Sequence, residues 1–261
     1  MTSKIQDILK TIQKILPINL LYQLQDIHSQ FIYSWITQSR SQAVAPTQKS
    51  AMVFSPHQDD ETFGCGGMIA LKREQGIPVV VVFLTDGQGG GDGNYEEKQH
   101  IIETRKKEAL AALKILGVES SEVYFFNKQD GKLPDLDIES RKHIVVQITN
   151  LLNKYQPGEV YVPHQKDCHR DHEATFNLVK AAINETQINI DFFQYPIWMF
   201  WRAPLFIMLK LSDIAAANPM SITSVREKKR NAIASYISQI EHLPSGFVKR
   251  FLVSDEIFFK S

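Results

Sequence analysis

The order of apolar segments predicts an α/β protein: a mostly parallel sheet with helices on both faces, preceded by an N-terminal helical extension. Two observations carry this. Pro78–Thr85 reads PVVVVFLT, a continuous, β-branched apolar run of strand length. Three shorter apolar runs, Ala51–Ser55, Glu122–Phe126 and Glu159–Pro163, join it in alternation with helical patterns near 65–75, 99–116 and 139–155. Right-handed crossovers between such strands place all their C-terminal ends on one edge, where α/β proteins bind ligands.

Taken in order, residues 4–38 read as helix. Ile5, Ile8, Leu9, Ile12 and Leu16 fall at helical spacing, and so do Leu20, Leu24, Ile27, Phe31 and Trp35. Pro17 is expected to break or kink the run. SRSQAVAPTQKS, residues 39–50, is small and polar and reads as a linker. The expected division is therefore 1–49, extension and linker, and 50–261, the main domain. After the alternating region, a strand over 189–195 and a helix over 224–240 complete the chain.

Composition excludes several classes. A chain of 261 residues has room for one large α/β domain with a well-developed core. Lys plus Arg and Asp plus Glu are 29 each, so no net field recruits nucleic acid, and no basic stripe interleaved with aromatics appears. Cys65 and Cys168 make no disulfide framework and suit a reducing, cytoplasmic setting. The N-terminus lacks a signal peptide's continuous apolar core, being interrupted by Asp7 and by scattered Lys and Gln. No uncharged apolar run reaches the roughly 18 residues of a membrane span. The nearest stretch, Phe192–Leu211, is broken by Pro196, Arg202, Pro204 and Lys210.

Two clusters carry chemistry. Ser55-Pro56-His57-Gln58-Asp59-Asp60-Glu61 follows the first strand. That much negative charge is costly to bury without a cation. His57 and Asp60, three apart, can face one point as the chain enters a helix, and an imidazole with a carboxylate suits zinc and neighbouring divalent metals. Asp59 points elsewhere and stays free to handle a water. The bland alternative is a solvated acidic turn, with Glu61 favouring the helix N-terminus. The second cluster, Asp167-Cys168-His169-Arg170-Asp171-His172, follows the Glu159–Pro163 strand and so lies on the same edge. His169 or His172 can supply the third ligand that a catalytic zinc needs, with a fourth position left for water. Two glycine groups sit nearby. Gly64, Gly66 and Gly67 suggest close packing beneath the site, and Gly87, Gly89, Gly90, Gly91 and Gly93 form a loop at the active edge. No Gly-x-Ser-x-Gly elbow supports a serine hydrolase.

PHQDDE resembles the P-H-x-D-D-E signature of the LmbE/PIG-L superfamily, and HRDH resembles its distal H-x-D-H. Thr104-Arg105-Lys106-Lys107-Glu108 with Leu116-Gly117 resembles the family's R-x-x-E helix, and the likeness covers roughly 50–185. The resemblance implies a Rossmann-like fold and removal of an N-acetyl group from a GlcNAc-containing amino sugar by metal-activated water, with one Zn²⁺ per chain. It implies His57, Asp60 and His172 as ligands, Asp59 as general base, His169 as the group assisting the tetrahedral intermediate, and Asp171 as its orienting partner. Arg105 and Asp130 are implied as substrate contacts. Gln58 and Arg170 stand where the family commonly has Pro, both at non-ligand positions. The Tyr that aids the oxyanion in some relatives has no counterpart beside His169, so a second oxyanion donor goes unassigned.

Two rival readings remain: a catalytically silent metal-binding protein, and a membrane-surface or complex-assembly protein. For residues 1–40 a core or oligomer contact is expected ahead of peripheral membrane contact.

Overall fold

The computed structural model describes residues 16–39, 46–89 and 93–261. The expected helical positions Ile5, Ile8, Leu9 and Ile12, half of the linker, and Gly90 and Gly91 lie outside the described residues. A seven-stranded sheet forms the centre, in the order β3-β2-β1-β4-β5-β7-β6. Its strands are β1 (Ala51–Ser55), β2 (Val79–Thr85), β3 (Val123–Lys128), β4 (Glu159–Pro163), β5 (Asp191–Tyr195), β6 (Ala217–Met220) and β7 (Glu256–Lys260). The first five are parallel to one another, and β7 is antiparallel to both β5 and β6. The last two strands were not expected from the sequence. β6 carries Pro219, which only an edge strand tolerates, and so offers a weak strand pattern.

The chain runs outward from β1 through β2 to β3, then returns to place β4 on the other side of β1. This reversal splays the connections apart at the C-terminal ends of β1 and β4 and opens a crevice there. Both charged clusters follow these two strands.

Period-two alternation divides the core. Val79, Val81 and Phe83 face one side, against α2 (Asp60–Glu74) and α3 (Tyr95–Leu116). Val80, Val82 and Leu84 face the other, against α4 (Ile138–Tyr155) and α5 (Arg170–Asn184). The N-terminal helix α1 (Ile18–Ser39) buries Ile32, Tyr33 and Ile36 in a third cluster with Phe200, Leu209 and Phe259. Each such side chain contributes on the order of 1.5–3 kcal/mol, an upper bound for burial. Short helices α6 (Met199–Arg202) and α7 (Leu211–Ala215) lie on this side as well.

Boundaries differ from expectation where charge or tertiary contact overrides periodicity. α2 starts at Asp60, five residues before its apolar pattern does, because the acidic cluster itself forms the first turn. The helix expected over 224–240 divides into α8 (Arg226–Ile233) and the single turn α9 (Ile237–Ile240). Between them Tyr236 turns inward and is fully buried. α10 (Ser245–Val253) follows and packs against α1. Gly64 allows α2 to lie against β5: a Cβ there would sit 2.3 Å from the Tyr195 ring.

Candidate active site

The turn from β1 into α2 sets the first half of the site. The Asp59 carbonyl accepts the N–H groups of Thr62 (3.1 Å) and Phe63 (2.9 Å), which starts the helix and leaves the Asp59 carboxylate uncommitted to capping. Its backbone is strained, with φ 147° and ψ −32°, a conformation that costs on the order of 1–3 kcal/mol. Glu61 holds it. Glu61 Oε2 accepts the Asp59 N–H at 3.1 Å, and Oε1 accepts the hydroxyls of Thr62 and Tyr236. Glu61 is fully buried, which pushes its pKa up to about 7.

The two histidines converge on one oxygen. Asp60 Oδ2 lies 3.0 Å from His57 Nδ1 and 3.2 Å from His172 Nε2. His172 Nε2 is buried and makes no hydrogen bond, although it sits at ion-pair distance from Asp60. The opposite nitrogen of each ring is occupied by carboxylate. His57 Nε2 faces Asp130 Oδ1 (3.0 Å) and Asp171 Oδ2 (3.2 Å), and His172 Nδ1 donates to Asp167 Oδ2 (2.7 Å). Carboxylates on the far nitrogens fix the tautomer that turns a lone pair inward, the usual support of metal-binding histidines. Ligands at 2.0–2.1 Å in a tetrahedron stand roughly 3.3 Å apart, close to the spacings around Asp60. These spacings fit a divalent cation at the expected ligands His57, Asp60 and His172, and the ligand atoms of His57, His169 and His172 also lie within 4.8 Å of one another.

The electrostatics agree. Asp59, Asp60, Glu61, Asp167 and Asp171 are buried and Asp130 nearly so, while Arg105 is the one permanent cation among the residues lining the cavity. Burial alone would lower the histidine pKa values. Hydrogen bonds to Asp130, Asp171 and Asp60 instead raise His57 well above its ordinary value, and Asp60 with Asp167 raises His172 to about 9. Protons on these rings stand in for the positive charge a metal would bring. Burial and the adjacent Asp60 raise Asp59; against its own burial, Asp60 is held low by His172 and His57.

His57, Asp59, Asp60, Arg105, Asp130 and His169 line one cavity of about 240 Å³, closed by Phe63, Trp198, Gln239 and Phe247. His169 caps α5: its Nδ1 accepts the Asp171 N–H at 3.3 Å, leaving Nε2 as the protonated nitrogen. Burial, then repulsion from His172 and His57, lowers its pKa to about 4, so the ring is neutral.

One expectation is corrected and another is extended. The Asp171 carboxylate does not orient the His169 ring. It holds His57 Nε2 and accepts the N–H groups of Gly131 (2.7 Å) and Leu133 (3.1 Å). Asp130 is committed to His57 and to the Gly89 N–H (3.0 Å), so it supports a ligand as well as facing the cavity. Arg105 donates to the carbonyls of Gly87 (3.1 Å) and Gln58 (3.0 Å) and lies 3.7 Å from Asp59. Gly87 is required there: its φ is +68°, and a Cβ would lie 2.1 Å from Gln58 Oε1.

Sequence reasoning gave no role to Asp167, Tyr236 or Phe247. Asp167 stood inside the second motif, two residues before His169, which was its only signal. In the aromatic stretch that begins at the end of β5, Tyr195, Phe200 and Trp201 are core. Trp198 reaches the cavity, with Phe247 stacked at 4.3 Å and Arg202 over its ring at 3.8 Å.

A mostly parallel sheet with this His/Asp cluster at its switch point defines an α/β protein whose crevice could hold a metal ion. The chain belongs to the PIG-L family, whose model, described as GlcNAc-PI de-N-acetylase, matches residues 52–183. It is 32 % identical over 141 residues to the 4-oxalmesaconate hydratase of Pseudomonas putida, covering 52 % of each protein. It is 27 % identical over 141 residues to a probable N-acetyl-alpha-D-glucosaminyl L-malate deacetylase 2 of Bacillus cereus, covering 52 % of this chain and 62 % of that protein. The matches thus span between half and two thirds of these relatives. In fold the chain is similar to the N,N'-diacetylchitobiose deacetylase of Pyrococcus horikoshii, with a TM-score of 0.62 and 22 % identity over 82 % of this chain and 84 % of that one.

Proposed function

We propose that the chain is a zinc-dependent hydrolase that removes an N-acetyl group from an amino sugar, a GlcNAc unit on a larger aglycone. The observation that supports it is the convergence of His57 Nδ1 and His172 Nε2 on Asp60 Oδ2 beside a cavity that holds the uncommitted carboxylate of Asp59. A zinc ion bound there supplies Lewis-acid polarisation of the acyl oxygen and lowers the pKa of water toward about 7. Asp59 accepts the proton of the attacking water and returns it to the leaving amine. His169 donates from Nε2 to the oxygen that becomes negative. Arg105 keeps the Asp59 turn in place and offers its guanidinium to substrate hydroxyls; Asp130 holds His57 and also faces the cavity. Two free thiols, Cys65 and Cys168, favour a cytoplasmic setting.

A hydratase reading also has an observation behind it, the 32 % match to a hydratase. The same base and water would then add across a carbon–carbon double bond. The test is a panel of N-acetylated sugars, GlcNAc conjugates, acetyl-lysine peptides and unsaturated dicarboxylates, with free amine, acetate and loss of the double bond measured. The account expects amine and acetate release from GlcNAc conjugates. Hydration without amine release overturns the reaction class, and acetyl-lysine turnover above every sugar overturns the substrate class.

A further inference from the structure

We propose that α1 and the turn at 204–211 form a docking face for an anionic lipid bilayer. Among the described residues, sixteen large apolar side chains are exposed; seven lie on α1 and three on this turn, ten in all. The two segments meet: Phe31 and Trp35 of α1 line one cavity of about 400 Å³ with Leu205 and Phe206. Ile27, Phe31 and Trp35 are 66 %, 59 % and 38 % exposed along one stripe of the helix, whose opposite side, Ile32 and Ile36, is buried. A soluble surface seldom concentrates apolar area in this way without a partner.

Phe206 carries the second observation. It is 75 % exposed and has φ 65°, a left-handed conformation that is costly for an aromatic residue. The turn enforces it: the Phe206 N–H donates to Leu209 O at 2.8 Å and the Met208 N–H to Pro204 O at 2.9 Å. The fold thus spends strain to hold a phenyl ring in water.

Charge selects the occupant. Residues 18–39 and 199–211 contain three formally charged side chains, Asp26, Arg202 and Lys210. Asp26 turns toward Gly246 of α10, where a Cβ would lie 2.7 Å from its carboxyl carbon. The face therefore presents aliphatic and aromatic groups flanked by two cations, Lys210 and the Arg202 that stacks on Trp198, a composition that suits a segment lying on anionic lipid. No described helix is long and apolar enough to cross a membrane, so the contact is in-plane. The same segment begins at Met199, directly after Trp198 of the cavity wall, so docking brings the cavity to headgroup level.

The experiment is flotation of the full chain with vesicles of phosphatidylcholine alone and of phosphatidylcholine mixed with phosphatidylglycerol. The expected result is flotation with the mixed vesicles, weakened about tenfold or more in Phe206→Glu and Phe31→Glu and also weakened in Lys210→Glu. Sedimentation velocity and acetate release from a water-soluble N-acetyl sugar, unchanged in these exposed-site variants, establish that they are folded. A wild-type chain that stays with neither vesicle, or glutamate variants that float as well as it does, overturns the proposal. A concentration-dependent dimer that the glutamate variants abolish, with no flotation, assigns the face to a second copy and also overturns it. Failure of flotation leaves the deacetylase reading standing, since that is read on soluble substrate.

Discussion

Replacing Asp167 with Asn removes one charge from a fully buried carboxylate while keeping its shape. In the native chain Oδ1 accepts the N–H groups of Ile197 (2.8 Å) and Met199 (3.0 Å), Trp198 N–H reaches both oxygens, and Oδ2 accepts His172 Nδ1–H at 2.7 Å. Asn has one oxygen. With that oxygen kept by the 197–199 backbone, its NH₂ faces His172 Nδ1, donor against donor. The ring must then move its proton to Nε2, the nitrogen aimed at Asp60, and the ligand lone pair is lost. Support of this kind is worth about 10–100-fold in metal affinity, or about 1.4–2.8 kcal/mol. The assay is competition for zinc between the apo chain and a chromogenic chelator, with thermal unfolding alongside. Asp167→Asn should weaken zinc by that factor and stay folded. Asp167→Ala, which strands three backbone donors and a buried histidine, should lose about 3–5 kcal/mol of stability. Native zinc affinity in a folded Asp167→Asn would refute the reasoning.

Asp59→Asn should keep its metal by elemental analysis while the hydrolysis rate falls about 10²–10⁴-fold; loss of metal would mean that Asp59 is a ligand. Tyr236→Phe takes a donor from buried Glu61 and should cost about 1–3 kcal/mol in urea unfolding with metal content unchanged; unchanged stability would show that the Glu61 clamp carries no weight. His164 gives a pH test. Burial lowers its pKa to about 4, and Nδ1 accepts the Lys166 N–H at 3.0 Å, so the folded ring is neutral. The unfolded ring, near 6.5, takes its proton first, so stability is fully present above pH 6.5 and is lost as pH falls toward 4, by about 3 kcal/mol. His164→Gln should flatten unfolding free energy against pH in that window, and an unchanged slope would contradict the assignment.

The elements that position the site were legible because burial writes itself into composition. β2 is buried on both faces and reads as a continuous apolar run, and the strand–helix alternation by itself places His57 and His172 on one edge. The partners of each atom were not legible. Spacing says that His57, Asp60, Asp171 and His172 can meet, but not which nitrogen faces which carboxylate. The family resemblance paired Asp171 with the nearby His169, whereas its carboxylate meets His57, 114 residues earlier in the chain. Tyr236 and Phe247 reach the site from the C-terminal segment, and nothing in their local sequence distinguishes them from core aromatics. β6 and β7 were missed because Pro219 weakens one pattern and β7 is a five-residue strand at the chain's end.

The central claim is that His57, Asp60 and His172 hold one divalent ion beside Asp59. Crystals of the full chain grown with zinc, measured on both sides of the zinc absorption edge, test it directly. The account predicts one anomalous peak within about 2.0–2.2 Å of His57 Nδ1, Asp60 Oδ2 and His172 Nε2. A peak instead between His57 Nε2, Asp130 and Asp171, or none at the cluster with zinc in excess, would contradict it.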